Sequence, residues 1–188
     1  MQFCSQPQQH EYVESPFVPL LVLLPICLSL ANCSKKRESM PIFGRHLHGV
    51  WLRGDSEVWA VGNDGFIVYS NNGGTTWQLQ VSGTIEALQL IYGRGSELWA
   101  LGVGGTILHS PDGQTWKPQS SGTERALYSV FGSGPLLIAV GKLGVILLST
   151  NRGQHWQQQK SITPARLNDV SGNGAQWCGS DNPDGKSR

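Results

Sequence analysis

The chain has 188 residues and a formal net charge of +1, with charged residues making up 14%, well below the roughly 25% typical of soluble domains. That length suits one ordinary domain, and no basic stripe interleaved with aromatics is present, so nucleic acid is excluded as an expected partner. Low charge together with 24 glycines and 7 tryptophans fits many short strands joined by tight turns.

Residues 18–30 read VPLLVLLPICLSL. The run is shorter than the ~20 apolar residues of a spanning helix and contains Pro19 and Pro25, so it reads as a signal-peptide core. Leu30 to Cys33 then reads LANC, which resembles the lipobox of bacterial lipoproteins. That resemblance implies a lipidated Cys33 and an exported protein anchored to a membrane through its lipid. Asn32 departs from the small residue of the pattern, and Lys35, Lys36 and Arg37 follow the core where basic residues should precede it. A disordered apolar leader is the alternative. The expected organisation is a leader at 1–33, a linker at 34–47 and one domain at 48–188.

From His48 onward the sequence repeats with a period near 40, the signature of a repeat architecture. The units are 48–84, 85–123 and 124–163, with a partial fourth at 164–188. Each holds four short runs of Val, Ile, Leu and aromatic residues. Glycines interrupt every run before a helix could form, so four strands per unit are expected: an all-β, propeller-like fold. In the first unit the strands fall near Val50–Arg53, Glu57–Val61, Phe66–Ser70 and Thr76–Val81. The second turns, GNDG, GVGG and GKLG, carry glycine at both ends, which suits hairpins needing positive φ.

Each third turn is a motif: SNNGGTTW from Ser70, SPDGQTW from Ser110 and STNRGQHW from Ser149. These resemble the Asp-box, or bacterial neuraminidase repeat, with S-x-D-x-G-x-T-W positions at Ser70, Asn72, Gly74, Thr76 and Trp77. The second copy places them at Ser110, Asp112, Gly113, Thr115 and Trp116, and the third at Ser149, Asn151, Gly153 and Trp156, with His155 replacing Thr. The wider wording of 48–163 resembles the photosystem II assembly and stability factor family and its bacterial lipoprotein relatives. The resemblance implies a propeller whose boxes fasten turns on the rim away from the binding face. The physical roles agree with that: Ser and Asn or Asp bond a tight turn, Gly takes its left-handed residue, and Trp enters the core.

If the boxes mark one end, the second turns and the unit connections mark the other. A binding face there would gather Asn63, Asp64, Glu86, Glu124, Arg125, Lys142 and Arg166, either as a site or as an ordinary solvated rim. The assembly-factor resemblance implies a basic surface, for which only Arg125 and Arg166 are available. A protein is the expected partner, with self-association through an open propeller edge as one form of it. Arg53–Asp55, RGD, is explained as a turn. Cys4, Cys27, Cys33 and Cys178 contain no C-x-x-C pair and the five histidines no H-E-x-x-H, so neither metal nor cofactor is expected. His109 and His155 stand at repeat positions and read as structural substitutions.

Three functional readings remain. The first is a non-enzymatic exported module for protein binding or assembly. The second is a truncated copy, because the fourth unit loses the pattern after Trp177. The third is a remnant of a sialidase-type hydrolase, although no catalytic residue can be mapped onto Tyr69, Tyr92 or Tyr128.

Overall fold

The computed structural model of the chain describes residues 45–172 and the backbone of residues 177–181. The leader, Cys33 and most of the linker lie outside these residues. Strands β1 (Leu47–Arg53), β2 (Glu57–Gly62), β3 (Ile67–Ser70) and β4 (Gln78–Gln80) form the first antiparallel sheet in that order. A second sheet repeats it with β5 (Leu88–Arg94), β6 (Glu97–Gly102), β7 (Ile107–Ser110) and β8 (Lys117–Gln119). A third comprises β9 (Leu127–Ser133), β10 (Leu136–Gly141), β11 (Ile146–Ser149) and β12 (Gln157–Gln158). The hairpin β13 (Leu167–Gly172) and β14 (Trp177–Asp181) opens a fourth. The described residues form an all-β partial propeller.

The differences from the expected elements have local causes. The first strand starts at Leu47, ahead of Val50, because Leu47 already pairs with Gly62. The fourth starts at Gln78 and not Thr76, because the Thr76 amide donates to Asn72 Oδ1 at 2.9 Å and is unavailable to the ladder. In the fourth unit the stretch after Trp177 does pair, Trp177 with Gly172 and Cys178 with Ser171. Backbone pairing there needs no repeat wording.

Alternation builds a core at every seam, because each inner sheet is buried on both faces. Trp59, Val61, Ile67 and Tyr69 of the first sheet pack against Leu88, Ile91, Ala100 and Leu108 of the second. Trp99, Leu101 and Ile107 then meet Leu127, Val130, Ala139 and Leu147 of the third. Val140 packs on Leu167 and Val170 of β13.

The second turns are single 3₁₀ turns at Asn63–Gly65, Val103–Gly105 and Lys142–Gly144. Their leading glycine is extended, with φ −164° at Gly62. Positive φ falls on the middle and last residues, Asp64 at 57° and Gly65 at 65°. The expectation of positive φ at both glycines is therefore corrected. Gly62 is small because a Cβ would strike the His46 carbonyl, which accepts from the Asn63 amide at 3.1 Å.

Candidate functional site

At one end of the strands lie the Ser-to-Trp turns. Ser70 Oγ accepts from the Gly74 amide at 2.8 Å, and Ser110 and Ser149 repeat this with Gly113 and Gly153. The side chain two residues on closes the turn: Asp112 Oδ1 accepts from the amides of Gln114 and Thr115 at 2.8 and 2.9 Å. Those amides hold the Asp112 carboxyl below its ordinary range. Asn151 Oδ1 accepts from the His155 amide at 2.9 Å. Thr76 Oγ1 accepts from Asn72 Nδ2, a bond His155 does not reproduce.

The tryptophans of the second and third of these turns reach the preceding sheet. Trp116 is 7% exposed and donates from Nε1 to Gln80 Oε1 at 2.8 Å. Gln80 Nε2 donates to the Gly113 carbonyl, which also accepts from Trp59 Nε1 at 2.9 Å. The second seam is an imperfect copy: Trp156 Nε1 reaches Gln119 Oε1 at 3.3 Å, but Trp99 Nε1 finds no acceptor among the described residues.

Beside the first seam, Arg53 forks onto Glu57 at 2.8 and 3.0 Å and lies over the Trp59 ring at 4.6 Å. Tyr69 stacks on Trp59 and donates its hydroxyl to Glu57 Oε1 at 2.8 Å. The guanidinium draws the Glu57 carboxyl below its ordinary value, while burial raises the Tyr69 phenol. No local spacing signals this Tyr–Glu–Arg group, because only strand register brings positions 53, 57 and 69 together. It also occupies the arginine of the RGD tripeptide, whose Gly54 takes φ 61°.

In the second sheet the same places hold Arg94, Glu97 and His109. His109 stacks on Trp99 at 5.0 Å and stands 3.5 Å from Glu97, beyond good hydrogen-bond length. Burial pushes its imidazole below the ordinary value, and Glu97 offsets part of this. The folded state therefore prefers neutral His109. Its contribution is full above the unfolded value of about 6.5 and is lost as pH falls through the lower folded one. His109→Tyr is expected to restore the Tyr69 arrangement, adding about 1 kcal/mol and flattening the acid slope. Urea unfolding of both proteins at several pH values reads this directly, and identical slopes would rule out His109 as the source.

At the opposite end, each second turn meets the connection into the next sheet, as in the Gly65 amide donating to the Glu86 carbonyl at 3.0 Å. The connections share a motif that the sequence shows at the same period: SGT, SGT, SIT. Ser82, Ser121 and Ser161 each donate to the carbonyl two residues on and accept that residue's amide.

The expected binding residues all lie at this end, and the four that are engaged make separate contacts. Asn63 bonds His48 at 2.7 Å, and Asp64 pairs with Arg45 at 3.2 Å. Arg125 donates to the Leu143 carbonyl at 3.3 Å, whereas Arg166 lies 4.0 Å over Tyr128. Glu86, Glu124 and Lys142 form no side-chain hydrogen bond or ion pair with the described residues. Arg45 falls in the expected linker, yet it occupies the repeat position of Glu86 and Arg125.

Two clefts open beside these connections. One of about 660 Å³ is lined by Arg45, Asp64, Phe66, Leu79, Val81 and Ile85, among others. The next, of about 570 Å³, has Gly104, Thr106, Pro118, Ser120, Thr123 and Glu124. Both fall within the size range of ligand clefts. Among the described residues no three His, Cys, Asp or Glu side chains come together as a metal site, and no helix is long and apolar enough to cross a membrane.

A family model described as DUF6242 beta propeller domain matches residues 56–170. The chain belongs to this family. Among solved structures, this propeller is similar to YCF48 bound to D1 peptide, at 17% identity and a TM-score of 0.58 over 67% of this chain and 43% of that one. YCF48 from Cyanidioschyzon merolae gives 23% identity and a TM-score of 0.54, covering 63% of this chain and 38% of that one. An ancestral GH74 enzyme gives 18% and 0.50, covering 68% and 20%. At these identities the likeness is one of fold, and the chain spans less than half the length of each structure. No curated protein matches it significantly.

Proposed function

We propose that this propeller is an exported, lipid-anchored module that binds protein and carries out no chemistry of its own. The observation that carries the binding reading is the 660 Å³ cleft, where exposed aliphatic side chains meet charged ones at the loop end of a rigid strand scaffold. The similarity to a propeller solved with a D1 peptide supports it. The anchor rests on the LANC sequence at Leu30–Cys33.

One observation favours the hydrolase remnant, namely the contact of Tyr69 with Glu57. The physical chemistry opposes it. A phenol becomes a nucleophile through an adjacent general base or a lowered pKa; here the Arg53 fork draws the Glu57 carboxyl down and makes it a poor base, and burial raises the Tyr69 phenol. Glu57 is itself fixed by Arg53, and neither residue lines the two clefts.

The test is photo-crosslinking in intact cells, with the crosslinker at Glu124 or Lys142 and, as control, at Gln114 on the other end. A discrete protein adduct from the first pair alone is expected, together with loss of membrane retention in Cys33→Ser. Adducts at neither end would remove the binding reading. Hydrolysis of an aryl sialoside that disappears in Tyr69→Phe would replace it with the enzyme.

A further inference from the structure

We propose that the cleft beside β4 is a docking groove for an extended, aliphatic polypeptide segment with a basic residue at the end that meets Glu86. This rests on the protein-binding reading and assigns it one place. The repeat provides the internal control. Where the first unit has Leu79, Val81 and Ile85, the second has Pro118, Ser120 and Glu124, and the third Gln158, Lys160 and Pro164. The bonds that build the connection are the same in all three. The aliphatic set is therefore not required by the turn. Yet Leu79, Val81 and Ile85 are 49%, 87% and 86% exposed, and all three line one cleft above the buried Phe66. Scattered exposed apolar residues need no explanation, but a set of them around one concavity marks an interaction surface.

The occupant follows from geometry and charge. β4 is the outer strand of its sheet, with no strand on its far edge among the described residues. An extended segment can pair with such an edge, the backbone supplying affinity and alternate side chains specificity. Leu79 on β4 and Val81 just past its end are two residues apart, and alternate side chains of an extended partner, about 6.7 Å apart, can meet such a pair. Arg45 pairs with Asp64 at 3.2 Å and lies over Phe66, whereas Glu86 has no ion-pair partner among the described residues. The uncompensated charge at the cleft is negative, so the partner's is positive.

The experiment titrates the ¹⁵N-labelled full chain with a synthetic hexapeptide of one lysine followed by alternating valine and serine. Amide shifts are expected to concentrate between Leu79 and Glu86. Affinity should fall roughly tenfold or more in V81S/I85E, which carries the second unit's own residues at exposed positions. Glu86→Arg, the residue type found at Arg45 and Arg125, should instead favour the peptide with glutamate in place of lysine. Circular dichroism checks that both variants fold.

Three outcomes would overturn the proposal. Shifts elsewhere that ignore both variants would displace the site and leave the binding reading standing. No shifts, while crosslinked adducts still form at Glu124 or Lys142, would place the partner on another part of the same end. A concentration-dependent dimer lost in V81S/I85E, seen by sedimentation, would assign the groove to a second copy of this chain.

Discussion

Trp116→Ala is expected to destabilise the domain by about 3–5 kcal/mol, whereas Trp77→Ala, at the same motif position, should cost only about 1–2 kcal/mol. The contrast comes from what each ring touches. Trp116 is buried among Trp59, Leu98 and Leu108 across the first seam. Its loss opens a cavity and leaves Gln80 Oε1 without its donor. Trp77 is half-buried and packs on Ala60, Phe66 and Val68 of its own sheet. Urea unfolding of both variants decides the matter. Equal losses would mean that these rings stabilise their own turns and do not tie one sheet to the one before it.

That distinction marks how far the sequence could be read. The period near 40, the four apolar runs per unit and the glycine-bounded turns are local patterns, so the sheets and their order were legible. The Ser, Asn or Asp, and Gly of each third turn were legible too, because their partners lie within a few residues. The partners of the tryptophans were not. Gln80 and Gln119 stand on short polar outer strands, which read as solvent-facing, and their amides become seam ligands only once two sheets are stacked. Arg53, Glu57 and Tyr69 meet for the same reason, through register and not spacing.

The candidate binding end was legible as an end but not as a site. Its charged residues could be assigned to one set of turns, yet the structure engages them separately: Asp64 with Arg45, Arg125 with a carbonyl, Arg166 with Tyr128. The feature that distinguishes the first unit is aliphatic. Leu79, Val81 and Ile85 look in the sequence like ordinary strand and turn residues, and their exposure is a property of the assembled sheet.

Gly105→Ala is the second change of large expected effect, and it probes the architecture at that same end. Gly105 has φ 69°, a left-handed conformation that costs an L-residue about 1–2 kcal/mol. An added Cβ would also run into the Thr123 carbonyl oxygen and Ser121 Oγ of the following connection. The carbonyl belongs to backbone held by the Ser121–Thr123 bonds, so it cannot swing aside as a flexible side chain would. The combined cost should exceed about 3 kcal/mol. Gly83 separates the two effects, since its φ is 76° but a Cβ there meets nothing within 4 Å. Gly83→Ala should therefore cost only the conformational part, about 1–2 kcal/mol. If thermal and urea unfolding gave the two variants the same loss, close approach of turn to connection would contribute nothing. The glycine ending each second turn would then be explained by its dihedral angle alone. A clear excess for Gly105→Ala would show that this contact sets the spacing between turn and connection, and with it the width of the cleft that opens beside them.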